Sequence, residues 1–239
     1  MNGAAREPAA PSLRLLVGEL RVARDWARAR MRPRSEGVAI VGDGAPIVTL
    51  PGFCAGDLSM MQMRQNLRAA GFRARGWDMG ANLGARADTI DRIHRRVSGI
   101  ADREGRGVHL VGWSLGGVFA REFAKYHPAA VASVITMGSP FSGSRRANHA
   151  WRLYRLIAGH SVDNPPIAFH PDPRPVAPTY ALWSPHDGVV APYCAHGRVD
   201  ERDQAIEIDC GHLGFSFSPA AVDAVITCVL DAERLRRQM

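Results

Sequence analysis

The run Val108-His109-Leu110-Val111-Gly112-Trp113-Ser114-Leu115-Gly116-Gly117 sets a serine between glycines two residues to either side. That spacing suits a nucleophile raised on a sharp strand-to-helix turn, where the serine takes a strained backbone conformation and its neighbours must lack bulk. A serine hydroxyl is a poor nucleophile at neutral pH, so it needs a base and a third group to hold that base. After a turn of this kind the expected order is acid, then histidine. Asp187 stands in Ser184-Pro185-His186-Asp187-Gly188-Val189-Val190, directly after an expected strand, where its carboxylate would emerge at the sheet's C-terminal edge. His212 stands in Asp209-Cys210-Gly211-His212-Leu213-Gly214, behind a short strand and between glycines that leave the imidazole room to turn. Asp200, Asp203 and Asp209 are rival acids, His196 is the rival base, and Asp187-Gly188 also reads as a plain turn pair. An oxyanion needs two backbone N–H donors. Leu115, the residue after the serine, supplies one, and Phe53 in the loop Gly52-Phe53-Cys54 supplies the other.

These residues need a scaffold that delivers them to one edge. Residues 1–12 are rich in Ala, Pro and Gly and read as disordered. Residues 13–31 carry Leu13, Leu16, Val17, Leu20, Ala23, Ala27 and Met31 on one helical stripe with most arginines elsewhere. Two roles stay open for that amphipathic helix: packing on its own domain, or weak peripheral contact with an anionic membrane. Residues 37–41 and 47–50 read as a hairpin about Gly42-Asp43-Gly44. Asp57 reads as the N-cap of a helix over 58–70. A strand follows over 72–77, then a helix over 85–103 with Ile90, Ile93, Val97 and Ile100 inward. The turn at Ser114 separates a strand from a helix over 115–125, which Gly117 allows to lie close to the sheet. Val131–Met137 and Thr179–Trp183 read as core strands, 205–208 as a short strand, and Pro219–Arg237 as a closing helix. Alternating strands and helices predict an α/β fold, a mostly parallel central sheet with helices on both faces. The domain spans 37–239. Within it, 143–178 lacks a clear strand and is proline-dense from 165, as a lid or pocket wall would be.

Composition narrows the partners. The chain has 239 residues, enough for one α/β domain with a full core. Its net charge of +7 could point to an anionic partner, but Lys125 is the single lysine, the arginines are scattered, and no basic run is interleaved with aromatics. Nucleic-acid binding is therefore not expected. No apolar stretch reaches transmembrane length and the N-terminus does not read as a secretory signal, so the expected location is cytoplasmic. Cys54, Cys194, Cys210 and Cys228 show no metal-binding spacing. Cys194 and Cys210 lie close in sequence to Asp187 and His212, so a bridge between them is possible if those loops meet, although free thiols are the expected state in the cytosol.

Leu50-Pro51-Gly52-Phe53, Gly112-Trp113-Ser114-Leu115-Gly116-Gly117, Gly138-Ser139-Pro140, Ser184 to Val190 and Gly211-His212-Leu213-Gly214, in that order, resemble an α/β-hydrolase of the bacterial lipase and esterase type. The likeness covers most of residues 47–230. It implies Ser114 as nucleophile, Asp187 as acid, His212 as base, Phe53 and Leu115 as oxyanion donors, and neither a metal nor an organic cofactor. The chain departs from many lipases in having Pro51-Gly52 where they have His-Gly and Trp113 where they have His, changes that bear on pocket shape. The expected activity is hydrolysis of a small-molecule, lipid-like or acyl ester through an acyl-enzyme. Phe141, Trp151 and Tyr154 are candidates for an apolar acyl pocket, or for plain core. Two other readings share the scaffold: an acyltransferase or thioesterase using the same acyl-enzyme, and an interaction protein without turnover.

Overall fold

The computed structural model describes residues 10–20 and 40–238. Residues 13–20 are helical (α1); the rest of the expected N-terminal helix, 21–31, lies outside the described residues, as do 1–9. The strands are β1 (Pro46–Leu50), β2 (Arg73–Gly76), β3 (Val108–Trp113), β4 (Val131–Met137), β5 (Thr179–Trp183) and β6 (Gln204–Glu207). Between them run α2 (Met61–Ala69), α3 (Thr89–Glu104), α4 (Leu115–Tyr126), α5 (Trp151–Ala158) and α6 (Pro192–His196), and α7 (Pro219–Arg237) closes the chain.

All six strands pair in parallel, in the order β2-β1-β3-β4-β5-β6. A parallel sheet is covered on both faces, which is why its strands are apolar on both. Val111, Trp113, Ile135 and Met137 face the side covered by α2 and α7, where Met63, Leu67, Val225 and Val229 close one core. Val108, Leu110 and Val134 face the side of α3 and α4, where Ile93, Val97, Phe119 and Phe123 close the other. The strand order reverses between β1 and β3: the chain leaves β1 outward to β2 and returns to β1's other edge. Loops diverge at such a point and leave a crevice beyond the strands' C-terminal ends.

Three local expectations are corrected. The hairpin does not form: residues 40–44 are not strand, and both edges of β1 are taken by β2 and β3, so no edge remains for an antiparallel partner. The segment instead lies along the turn after α2, where Val41 and Gly42 N–H donate to the Ala70 carbonyl at 3.1 and 2.8 Å. Residues 37–39 lie outside the described residues. Asp57 does not cap a helix; it opens a 3-10 turn (Asp57–Met60), and its carboxylate accepts from Trp77 and Asp78 N–H at 3.1 Å each, tying this loop to the end of β2. Residues 85–88 stay outside α3, because Ala85 N–H donates to the Tyr154 hydroxyl and Arg86 N–H to Thr89 Oγ1. The short helix α6 was not expected from the sequence. Among the described residues no helix is long and apolar enough to cross a membrane.

Candidate active site

β3 carries the chain straight into the turn at Ser114, which adopts φ 52° and ψ −123°. A side chain there is strained, and the fold holds it by main-chain bonds: Ser114 N–H donates to the Met137 carbonyl and Gly117 N–H to the Ser114 carbonyl, at 2.9 and 3.0 Å. The flanking glycines are steric requirements. A Cβ on Gly112 would lie 2.5 Å from Gly117 N, and one on Gly116 would overlap the Leu50 carbonyl, whose carbon is 2.6 Å away. The turn thus brings β1, β3 and α4 into backbone contact, which seats the serine at the topological crevice.

Asp187 follows β5 and is buried. Its Oδ1 accepts from Val189 and Val190 N–H, both at 2.8 Å, and its Oδ2 faces His212 Nδ1 at 2.8 Å. Gly138, at the end of β4, has φ 55° and leaves room for the carboxylate; a Cβ there would sit 2.9 Å from Oδ2. The loops of Asp187 and His212 are stitched together by Ser184 Oγ–H donating to the Cys210 carbonyl at 2.6 Å. The His212 ring packs against Trp113, whose Nε1–H donates to the His212 carbonyl at 3.0 Å, so the residue next to Ser114 positions the histidine. No hydrogen bond joins Ser114 Oγ to His212 in the structure, and catalytic hydrogen bonds are often long before a substrate binds.

Burial alone would lower the pKa of His212. The Asp187 carboxylate, by charge and hydrogen bond, and the charge of Glu19 outweigh it and hold the imidazole above the ordinary histidine value. That is the direction that favours the imidazolium form.

The rivals are occupied elsewhere. Asp200 pairs with Arg198, Asp203 with Arg174 and Thr179, and Asp209 with His186. His196 hydrogen-bonds Gly197 O and packs on Trp183. Cys194 and Cys210 are free thiols, pushed up to about 11 and about 12 by burial, so no bridge joins the two loops. Among the described residues no group of three His, Cys, Asp or Glu side chains converges to hold a metal.

Two amides near Ser114 are left without a main-chain partner. Among the described residues, Leu115 N–H and Phe53 N–H have no backbone acceptor, whereas Cys54 N–H next door donates to the Asn82 carbonyl at 2.8 Å. Asn82 Nδ2 in turn donates to the Pro51 carbonyl at 2.8 Å, fixing the Pro51-Gly52-Phe53 loop from both sides. Ser114, Leu115 and Phe53 line a cavity of about 510 Å³, within the usual range for ligand sites. Its walls include Val118, Phe141, Trp151, Tyr154, Ile167 and Phe169, so the three aromatics flagged in the sequence all border it. Segment 143–178, with α5, forms much of this wall; the Tyr154 ring packs tilted against Phe53 with 5.2 Å between ring centroids.

Two residues of the site carry no signal in the sequence. Arg121 is buried beside the cavity; its guanidinium donates to the Pro173 and Glu201 carbonyls at 2.9 and 2.6 Å and lies 4.1 Å over the Phe141 ring. Burial lowers its pKa to about 10, so it stays charged at neutral pH. Glu19, from α1, is buried against the Asp187 and His212 loops.

The sequence profile described as palmitoyl protein thioesterase matches residues 46–193, a stretch from β1 into α6 that contains Ser114 and Asp187. Among solved structures, the chain is similar to an α/β hydrolase from the metagenome of lagoon sediments of Mar Chica, Morocco, at 21% identity and TM-score 0.54, over 78% of this chain and 90% of that one. A thermophilic esterase from Thermogutta terrifontis matches at 18% identity and TM-score 0.54, over 80% and 91%. A monoacylglycerol lipase from Paleococcus ferrophilus matches at 13% identity and TM-score 0.56, over 79% and 96%. At these identities the likeness is one of fold. No curated protein matches the chain.

Proposed function

The chain belongs to the palmitoyl protein thioesterase family of α/β-hydrolases, and from that premise we propose that it hydrolyses acyl esters, oxygen esters or thioesters, through a Ser114-His212-Asp187 triad. The observation that carries the reading is the pairing of a serine held at positive φ, on the wall of a cavity with both aromatic and charged lining, with a buried Asp187–His212 hydrogen bond. The family supports the thioester branch.

In the forward step Ser114 Oγ attacks the acyl carbonyl carbon and its proton passes to His212 Nε2. Asp187 holds Nδ1–H and so keeps Nε2 free to accept. The carbonyl oxygen becomes an oxyanion facing Leu115 and Phe53 N–H. Collapse expels the alcohol or thiol, which takes the proton from His212 and leaves Ser114 acylated. Water then gives a proton to His212 and attacks the acyl carbon, and the returning proton restores Ser114 and releases the acid. The acyl chain lies along the wall of Phe141, Tyr154 and Ile167. Segment 143–178 acts as the pocket wall of this site.

The test is hydrolysis of p-nitrophenyl esters from acetate to palmitate, with palmitoyl-coenzyme A as the thioester, by wild type and Ser114→Ala, alongside labelling by a fluorophosphonate. Loss of both activity and labelling in the variant is expected. A wild type that neither turns over any of these substrates nor takes the label overturns the proposal.

A further inference from the structure

The helix α1 is a poor hydrophobic ligand for the domain. Leu13, Val17 and Leu20 are 71, 63 and 72% exposed, and Leu15 and Leu16 are only half-buried, so apolar burial supplies little of its docking. The side chain it buries is a carboxylate, Glu19, which is 7% exposed. A buried carboxylate is costly unless it is fully hydrogen-bonded, and this one is. Oε1 accepts from Gly188 N–H at 3.0 Å and from His212 N–H at 2.6 Å, and Oε2 accepts from Leu213 N–H at 3.2 Å. Gly188 adjoins Asp187, and Leu213 adjoins His212. One carboxylate therefore clamps the two loops whose side chains must meet.

Two further contacts show a built seat for this segment. A Cβ on Gly188 would overlap the backbone of α1, lying 2.6 Å from the Leu15 carbonyl carbon and 2.9 Å from Glu19 Cγ. Gly188 has no positive φ to require glycine, so the close approach of α1 is what demands its missing side chain. At the other end, His149 Nε2–H donates to the Pro11 carbonyl at 2.7 Å, anchoring the segment to the start of the cavity wall. Neither Glu19 nor α1 falls within the family match, which begins at residue 46.

We propose that Glu19 is a positioning residue of the hydrolytic site: delivered by the N-terminal helix, its carboxylate holds the Asp187 and His212 loops in register and places a second negative charge behind the histidine. The inference rests on the triad reading above. Glu19 touches neither substrate nor reacting atoms; it acts through His212. The charged groups whose fields reach His212 are Asp187 from the acid loop and Glu19 from α1, both raising its pKa, while the nearby Cys210 thiol stays neutral.

The experiment compares full-length wild type with Glu19→Gln and Glu19→Ala, using a p-nitrophenyl ester across pH and amide hydrogen exchange at Gly188, His212 and Leu213. Gln keeps the shape but loses the charge and turns a donor toward an N–H. A fall of about tenfold in kcat with KM within about threefold is expected, the loss of roughly one charge-assisted hydrogen bond's worth of positioning. The acid limb of kcat/KM should move to lower pH, because the imidazole loses a charge that raises its pKa, and a merely structural contact would not move it. Exchange at the three amides should quicken. A Glu19→Gln enzyme with unchanged kcat, an unmoved acid limb or undiminished amide protection overturns the proposal. Amide exchange needs no turnover, so it decides the role of Glu19 even if the wild type proves inert toward ester and fluorophosphonate, the result that would sink the triad reading instead. If Glu19→Ala fails to fold, Glu19→Gln alone carries the comparison.

Discussion

Ser114 is held at φ 52° and ψ −123°, a conformation in which a Cβ crowds the adjacent peptide. Strain of this kind costs about 1–3 kcal/mol per residue. Replacing Ser114 by Ala keeps the Cβ and the strain, whereas Ser114→Gly removes both. Against that relief stands the larger freedom glycine gives the unfolded chain, about 0.4–1 kcal/mol. The main-chain bonds that hold the turn, from Ser114 N–H to Met137 and from Gly117 N–H to Ser114, survive in either variant. The Gly variant should therefore exceed the Ala variant in stability, by about 1 kcal/mol and at most about 2.6 kcal/mol, reversing the usual order of the two residues. For a chain of this size that is about 2–4 °C in Tm, and about 10 °C at most. Thermal melts and denaturant unfolding of the two variants read it directly, and using Ala as the reference cancels whatever the hydroxyl contributes. A Ser114→Ala protein as stable as Ser114→Gly, or more so, would refute the claim that the turn stores strain at Ser114.

Gly116→Ala drives a Cβ into the Leu50 carbonyl, where backbone meets backbone and no side chain can yield; a loss of about 1–3 kcal/mol or more and abolished fluorophosphonate labelling are expected, and a wild-type melt would contradict the geometry. Asp187→Asn keeps an oxygen for Val189 and Val190 N–H but offers no charge to an imidazolium; kcat should fall on the order of 10⁴-fold with KM little changed, as steady-state kinetics would report. Far from the site, Glu233 accepts from His109 Nε2, with Arg106 and Arg236 beside it, and these hold its carboxyl at about 2. A depressed carboxyl stabilises the fold above its unfolded pKa, about 4.3, and that stabilisation fades as pH falls toward about 2. Glu233→Gln should lose about 1–3 kcal/mol at pH 7 and show a flatter stability curve from pH 5 to 3, measured by denaturant unfolding; equal slopes in the two proteins would refute it.

What the sequence discloses and what it withholds divide along one physical line, the reach of the interaction that matters. The turn at Ser114 is legible because most of its requirements are local: β3 before it, α4 after it, and Gly112, whose Cβ would collide with Gly117 five residues on, although Gly116 answers to the distant Leu50 carbonyl. Asp187 and His212 are legible because each follows a strand, and a parallel sheet sends every such loop to the same edge. The hairpin at 37–50 is misread because a strand's own residues carry its pattern but not its neighbours. Ile40 and Val41 fit a strand, yet β1 is already paired on both sides. Asp57 fails for a related reason: a carboxylate ahead of an apolar run looks like a helix cap, but two N–H groups at the end of β2, twenty residues away in the chain, are better placed to receive it. Glu19 is the extreme case. It is one acidic residue on an arginine-rich amphipathic stretch, and its partners lie 169 and 193 residues further on. Its only trace in the sequence is a residue that is missing a side chain: Gly188, which reads as an ordinary turn glycine until α1 is seen lying against it.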